Sequence, residues 1–156
     1  MLSLTELLVR FGIALAIGLV IGLERESIGK DAGVRTSMLV CGGSALFTLA
    51  GLSLPYFISF DMQNLTDVIA RNSGFLMVIA NIVVGVGFLG AGIIMKQENH
   101  VHGLTTAALI WTTAAVGILI GMGMIWFGVI AGILLAILLF TLRGLRMPHN
   151  GDGENK

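Results

Sequence analysis

GLTTAALIWTTAAVGILIGMGMIWFGVIAGILLAILLFTL, residues 103–142, contains no charged side chain. Beyond Gly103 the apolar run is about 39 residues long, whereas one membrane-spanning helix needs about 20. That is too long for one crossing and the right length for two. Gly121-Met122-Gly123 is the natural break, giving spans near Leu104–Ile120 and Met124–Leu142. Working back towards the N-terminus, further apolar stretches run from about Leu4 to Leu23, Ser37 to Leu54 and Gly74 to Met95. The fold expected is all-α, a polytopic integral membrane bundle of about five transmembrane helices. Residues 1–142 form the transmembrane domain and 143–156 a polar cytoplasmic tail.

Composition agrees. Of 156 residues, 56% are hydrophobic and 12% charged. Soluble domains carry about a quarter charged residues, so the class is membrane protein. The formal net charge of zero gives no reason to expect nucleic-acid binding. Cys41, the single cysteine, lies in an apolar run. It reads as a small buried hydrophobe, and an intrachain disulfide is excluded. The N-terminus lacks the basic flank of a cleavable signal.

Topology follows from charge. With five spans, seven of the nine basic residues share one side: Arg25, Lys30, Arg35, Lys96, Arg143, Arg146 and Lys156. Basic residues concentrate in cytoplasmic loops. The expected N-terminus is therefore outside and the C-terminus inside. A four-span alternative splits these charges across both faces and ranks lower. Pro55–Ser73 becomes an external loop, in which Asn64–Arg71 has the pattern of a short interfacial helix.

Small residues recur four apart at Ala14, Gly18 and Gly22, and at Gly128, Gly132 and Ala136. Such spacing puts them on one helix face, where backbones can approach closely. It serves either packing within one subunit or a homodimer seam.

Soluble-enzyme motifs are absent. There is no P-loop and no nucleophile elbow. GVGFLGAG, residues 85–92, lies mid-membrane with no strand before it, so a dinucleotide role is rejected. His100 and His102 lack the spacing of a zinc protease and read as a surface pair, with a weaker alternative as a metal or pH-sensing group. Nothing in the chain could hydrolyse ATP, and no nucleophile–base pair supports an enzyme.

The candidate functional residues are the polar ones in or beside the spans, because ionisable groups in a bilayer are costly. Glu6 and Arg10 are four apart and can pair. They form either a snorkelling anchor or a wall of an ion or proton path. Asn81, Thr105, Thr106, Thr112 and Thr113 serve as interhelical hydrogen-bond partners or as ion contacts. Residues 18–36 hold a mixed charge cluster: Glu24, Arg25, Glu26, Lys30, Asp31 and Arg35. Topology explains the basic members, but acidic residues contribute little to orientation. Ion pairs, a docking surface or a cation site at Glu24, Glu26 and Asp31 would explain them. Magnesium requires several hard oxygen ligands, and no carboxylate lies deep in a span.

Four stretches carry a resemblance: GLERE at 22–26, GVRT at 33–36, GVGFLGAG at 85–92 and GLTTAALIW at 103–111. In this order they resemble the N-terminal membrane domain of the MgtC/SapB family. The matching positions include Gly22, Glu24, Arg25, Glu26, Arg35 and Thr36, then Gly85, Gly87, Gly90 and Gly92, and Thr105, Thr106 and Trp111. Thr105 stands where some relatives carry Asn. The resemblance implies a small bacterial inner-membrane protein linked to magnesium limitation, acid adaptation and survival within host cells. Some members of the family are thought to restrain the proton-driven ATP synthase, and others are labelled magnesium-transport proteins. Longer members carry a soluble C-terminal domain, whereas this sequence reads as a short member without one.

The resemblance and the residues together lead to a non-enzymatic regulator that affects magnesium, ion or proton balance by binding another membrane protein, with ATP synthase the partner the family suggests. The alternative is an oligomeric magnesium or other cation transporter. Magnesium is the one cofactor to consider, and a homodimer is an open arrangement.

Overall fold

The computed structural model describes residues 2–30, 32–58, 74–97 and 100–143. Its helices are α1 (Leu4–Ser27), α2 (Val34–Ile58), α3 (Gly74–Ile93), α4 (Leu104–Gly121) and α5 (Ile125–Arg143). All five are long and apolar enough to cross a membrane. The chain is an all-α, multi-pass bundle, as its hydropathy requires. The Asn64–Arg71 segment, Asp31 and the polar tail lie outside the described residues.

Local chemistry sets the helix ends. Ser3 caps α1, its hydroxyl accepting the Glu6 backbone N–H at 3.2 Å. α1 has 24 residues, about 36 Å of helix, so it outruns the roughly 30 Å hydrocarbon layer. It carries the helix on through Glu24, Arg25 and Glu26 and stops before Gly29, at φ +64°. The turn between α4 and α5 comes at Met122–Met124, where Gly123 takes φ +95°. The Gly-Met-Gly break therefore falls where expected. α2 continues past the expected boundary: Pro55 lies inside it, so the loop cannot start there.

α4 is the central helix. It packs against the other four, while α1 also touches α2 and α5, and α2 also touches α3. Ala14, Ile17, Ile21, Cys41, Ala45 and Ile120 fill the contact of α1, α2 and α4. A second cluster joins Ile82 and Val86 of α3 to Ile110, Ala114 and Ile118 of α4. The outer faces are apolar too: Phe88 and Trp126 are about four-fifths exposed. In a bilayer those faces meet lipid.

Small residues permit the tight centre. A Cβ on Gly18 would lie 2.7 Å from the Ser37 carbonyl oxygen, and one on Gly22 would lie 2.5 Å from Val34 Cα. A Cβ on Gly117 would collide with the Cys41 carbonyl. These are backbone approaches that only glycine allows. The contacts run antiparallel between α1 and α2 and parallel between α2 and α4. The bundle thus has two ends. The first carries the start of α1 and the α4–α5 turn. The second carries the α1–α2 turn and the start of α4.

Between α3 and α4 the chain makes a small hairpin that the hydropathy reading did not foresee. Strands β1 (Met95–Gln97) and β2 (His100–His102) pair antiparallel, Lys96 opposite Val101. His102 is exposed there.

Candidate functional site

Three places gather the polar side chains. At the first end, Arg10 is buried on α1. Its Nη1 donates to the Gly121 carbonyl at 3.0 Å and its Nη2 to Glu6 Oε1. Gly121 ends α4, where the last carbonyls have no partner within the helix and carry the negative end of its dipole. Arg10 is therefore a C-terminal cap supplied by another helix. A Cβ on Gly123 would stand 2.9 Å from Nη1, so the turn is shaped around the guanidinium. The expected Glu6–Arg10 pair forms.

At the second end, Arg25 is 4% exposed. Its Nη2 donates to Thr106 Oγ1 at 3.0 Å, joining the end of α1 to the first turn of α4. Glu26 turns the other way: its Oε2 accepts the Val34 N–H at 3.0 Å, capping the start of α2 where a negative charge suits the dipole. Glu24 Oε2 is buried and has no hydrogen bond. Arg35 and Lys30 are exposed. The expectation of ion pairs inside this cluster is not met among the described residues, where only Glu6 and Arg10 pair. Nor do three His, Cys, Asp or Glu side chains gather there. Glu24 and Glu26 thus have no third ligand among the described residues, and Asp31 is outside them.

The third place is a lateral groove of about 790 Å³ between α2 and α3. Thr36, Gly43 and Ser44 line it from α2, and Asn81, Gly85 and Leu89 from α3. Asn81 is exposed and has no hydrogen-bond partner among the described residues. A carboxamide in hydrocarbon without a partner is costly. A Cβ on Gly43 or Gly85 would meet nothing within 4 Å.

The four threonines of α4 do not share one route. Thr106 and Thr113 are buried, Thr105 is exposed, and Thr112 donates to the carbonyls of Ala108 and Leu109 in its own helix. Of the four motif glycines, Gly90 alone meets another helix, its added Cβ falling 3.4 Å from Ala107. Gly85, Gly87 and Gly92 face open space. The Arg25–Thr106 link escaped the sequence reading. Its signal was the five-span topology itself, which brings GLERE and GLTTAA to the same end.

Comparison with known proteins matches residues 11–147 to the MgtC family. YhiD of Escherichia coli K12, named as a proposed magnesium transporter, is 39% identical over 129 residues, covering 81% of this chain and 55% of that protein. SapB of Bacillus subtilis is 37% identical over 119 residues, 76% of this chain and 48% of its own length. MgtC of Salmonella typhimurium LT2 is 34% identical over 148 residues, 92% of this chain and 57% of its own length. The chain spans about half the length of the curated relatives it matches. No solved structure matches it.

Proposed function

The chain belongs to the MgtC family, and from that premise we propose that it is a non-catalytic regulator of ion or proton balance that docks on another membrane protein. The observation that carries this reading is the α2–α3 groove with Asn81 unsatisfied inside it. Within the groove, small residues at Gly43 and Gly85 leave room for a helix backbone. A transmembrane helix presenting a hydrogen-bonding side chain would pair with Asn81 and bury the apolar walls. Interhelical hydrogen bonds of this kind contribute about 1 kcal/mol each, so Asn81 sets register and the walls supply most of the affinity. The end with Arg25, Lys30 and Arg35 faces the cytoplasm in this reading, by the excess of basic residues there.

A conducting role needs one polar route from end to end. Arg10 and Arg25 instead hold helix ends together, while Thr48 donates to its own helix at Ser44. Magnesium transport, suggested by the name of YhiD, is the second reading. It would require a second copy to close the groove so that Thr36, Ser44 and Asn81 line a hydrated passage.

Photo-cross-linking tests the docking. A photoreactive residue replacing Leu89, on the groove wall, should trap one membrane partner in native membranes. The same residue replacing Trp126, exposed on α5 and outside the groove lining, should trap lipid alone. Equal trapping from both positions would count against the groove. Trapping a second copy from Leu89 would shift the reading to the closed, conducting dimer.

A further inference from the structure

We infer that the second end of the bundle holds a seat for a phosphate-class oxyanion, built from the Arg25 guanidinium, the Thr106 hydroxyl and the N-terminus of α4. This goes beyond the docking proposal and does not depend on it.

Arg25 presents five N–H donors and stays charged. At 4% exposure almost none of that charge reaches solvent. One hydrogen bond, to Thr106 Oγ1, is made, and Nε is buried with no partner. No carboxylate among the described residues lies at ion-pairing distance: Glu26 is turned to the Val34 N–H, and Glu24, whose buried Oε2 has no hydrogen bond, does not reach the guanidinium either. A buried charge left without a counter-charge is strongly destabilising.

The end of α1 does not take the guanidinium either. Its last carbonyls already accept backbone N–H groups: Arg25 accepts from Ile28 at 3.3 Å and Lys30 at 3.2 Å, and Glu26 from Gly29 at 3.1 Å. Instead Arg25 points to another set of donors. α4 starts from Gly103, at φ +84°, and no side chain caps it. The first amides of a helix have no acceptor within it and carry the positive end of its dipole. A guanidinium and a helix start without a side-chain cap thus meet across Thr106. An oxyanion is the ligand class that satisfies both. Leu104 and Thr105 of this first turn are exposed beside buried Thr106.

Depth agrees with a phosphate. Arg25 lies about 31 Å along α1 from Leu4, close to the roughly 30 Å thickness of the hydrocarbon layer. That places it at the level of lipid headgroups, where a phosphodiester or an inorganic phosphate would meet it.

The test uses the whole chain in a maltoside detergent, which carries no phosphate. In one arm phosphatidylglycerol is added and retained lipid is counted by native mass spectrometry. In the other, inorganic phosphate is titrated while thermal unfolding is followed. The expected result is a preference of about tenfold for one of these ligands, the size of one charge-assisted hydrogen bond. Arg25→Gln and Thr106→Val should abolish it, and Arg35→Gln, at an exposed site, should keep it. A preference for phosphatidylglycerol assigns the seat to a lipid. A response to inorganic phosphate alone assigns it to a soluble anion. Should Arg25→Gln fail to fold, Thr106→Val decides. No preference in the wild type, or a preference that survives both substitutions, overturns the seat.

Discussion

Arg10 and Arg25 lie on one helix and bond at opposite ends of α4. Arg10 meets the carbonyl end and has a carboxylate beside it. Arg25 meets the amide end, where a cation is electrostatically disfavoured. The two should respond differently to substitution. Arg10→Met removes two hydrogen bonds and leaves the Gly121 carbonyl buried without its donor, a cost of about 2–3 kcal/mol. Glu6→Gln weakens a partly exposed ion pair and should cost about 0.5 kcal/mol. Unfolding in mild detergent measures both, and equal losses would contradict the capping role. The Glu6–Arg10 pair was legible in the sequence because four residues apart is one helical turn. The Arg25–Thr106 bond joins positions 81 apart in sequence, and only tertiary packing brings them together.

At the level of elements, glycines in the same chain do different work. Gly22→Ala must push α1 and α2 apart at Val34 Cα, which should cost about 1–3 kcal/mol by overpacking. Gly85→Ala meets nothing within 4 Å and should change stability by no more than about 0.5 kcal/mol. If the regulator reading holds, Gly85→Leu leaves the fold intact and blocks Leu89 cross-linking, because the side chain fills the groove. Melting temperatures of the purified variants and cross-linked yield check the pair. The five spans could be read from hydropathy, since twenty apolar residues have few other places to go. The α2 boundary was less visible, because Pro55 signals a stop that the helix does not obey. The hairpin at Met95–His102 was missed for another reason: two three-residue strands give too short a pattern for periodicity to detect. Most of the glycine run at 85–92 faces outward; spacing shows which residues share a face but not whether that face has a partner.

At the scale of the whole molecule, the charged groups described within the spans lie at the two ends, and Asn81 lies in one lateral groove. Helix ends are held by arginines, the middle of the bundle is packed mainly on glycine and apolar side chains with Thr48 and Thr113 buried among them, and Asn81 opens sideways. That division favours a protein that acts by contact over one that conducts. Purified chain reconstituted in liposomes, with internal dyes reporting magnesium and protons, tests this most directly. Imposed magnesium and proton gradients should decay at the rate of protein-free liposomes. Magnesium or proton flux that rises with protein content and is abolished by Asn81→Leu would contradict it.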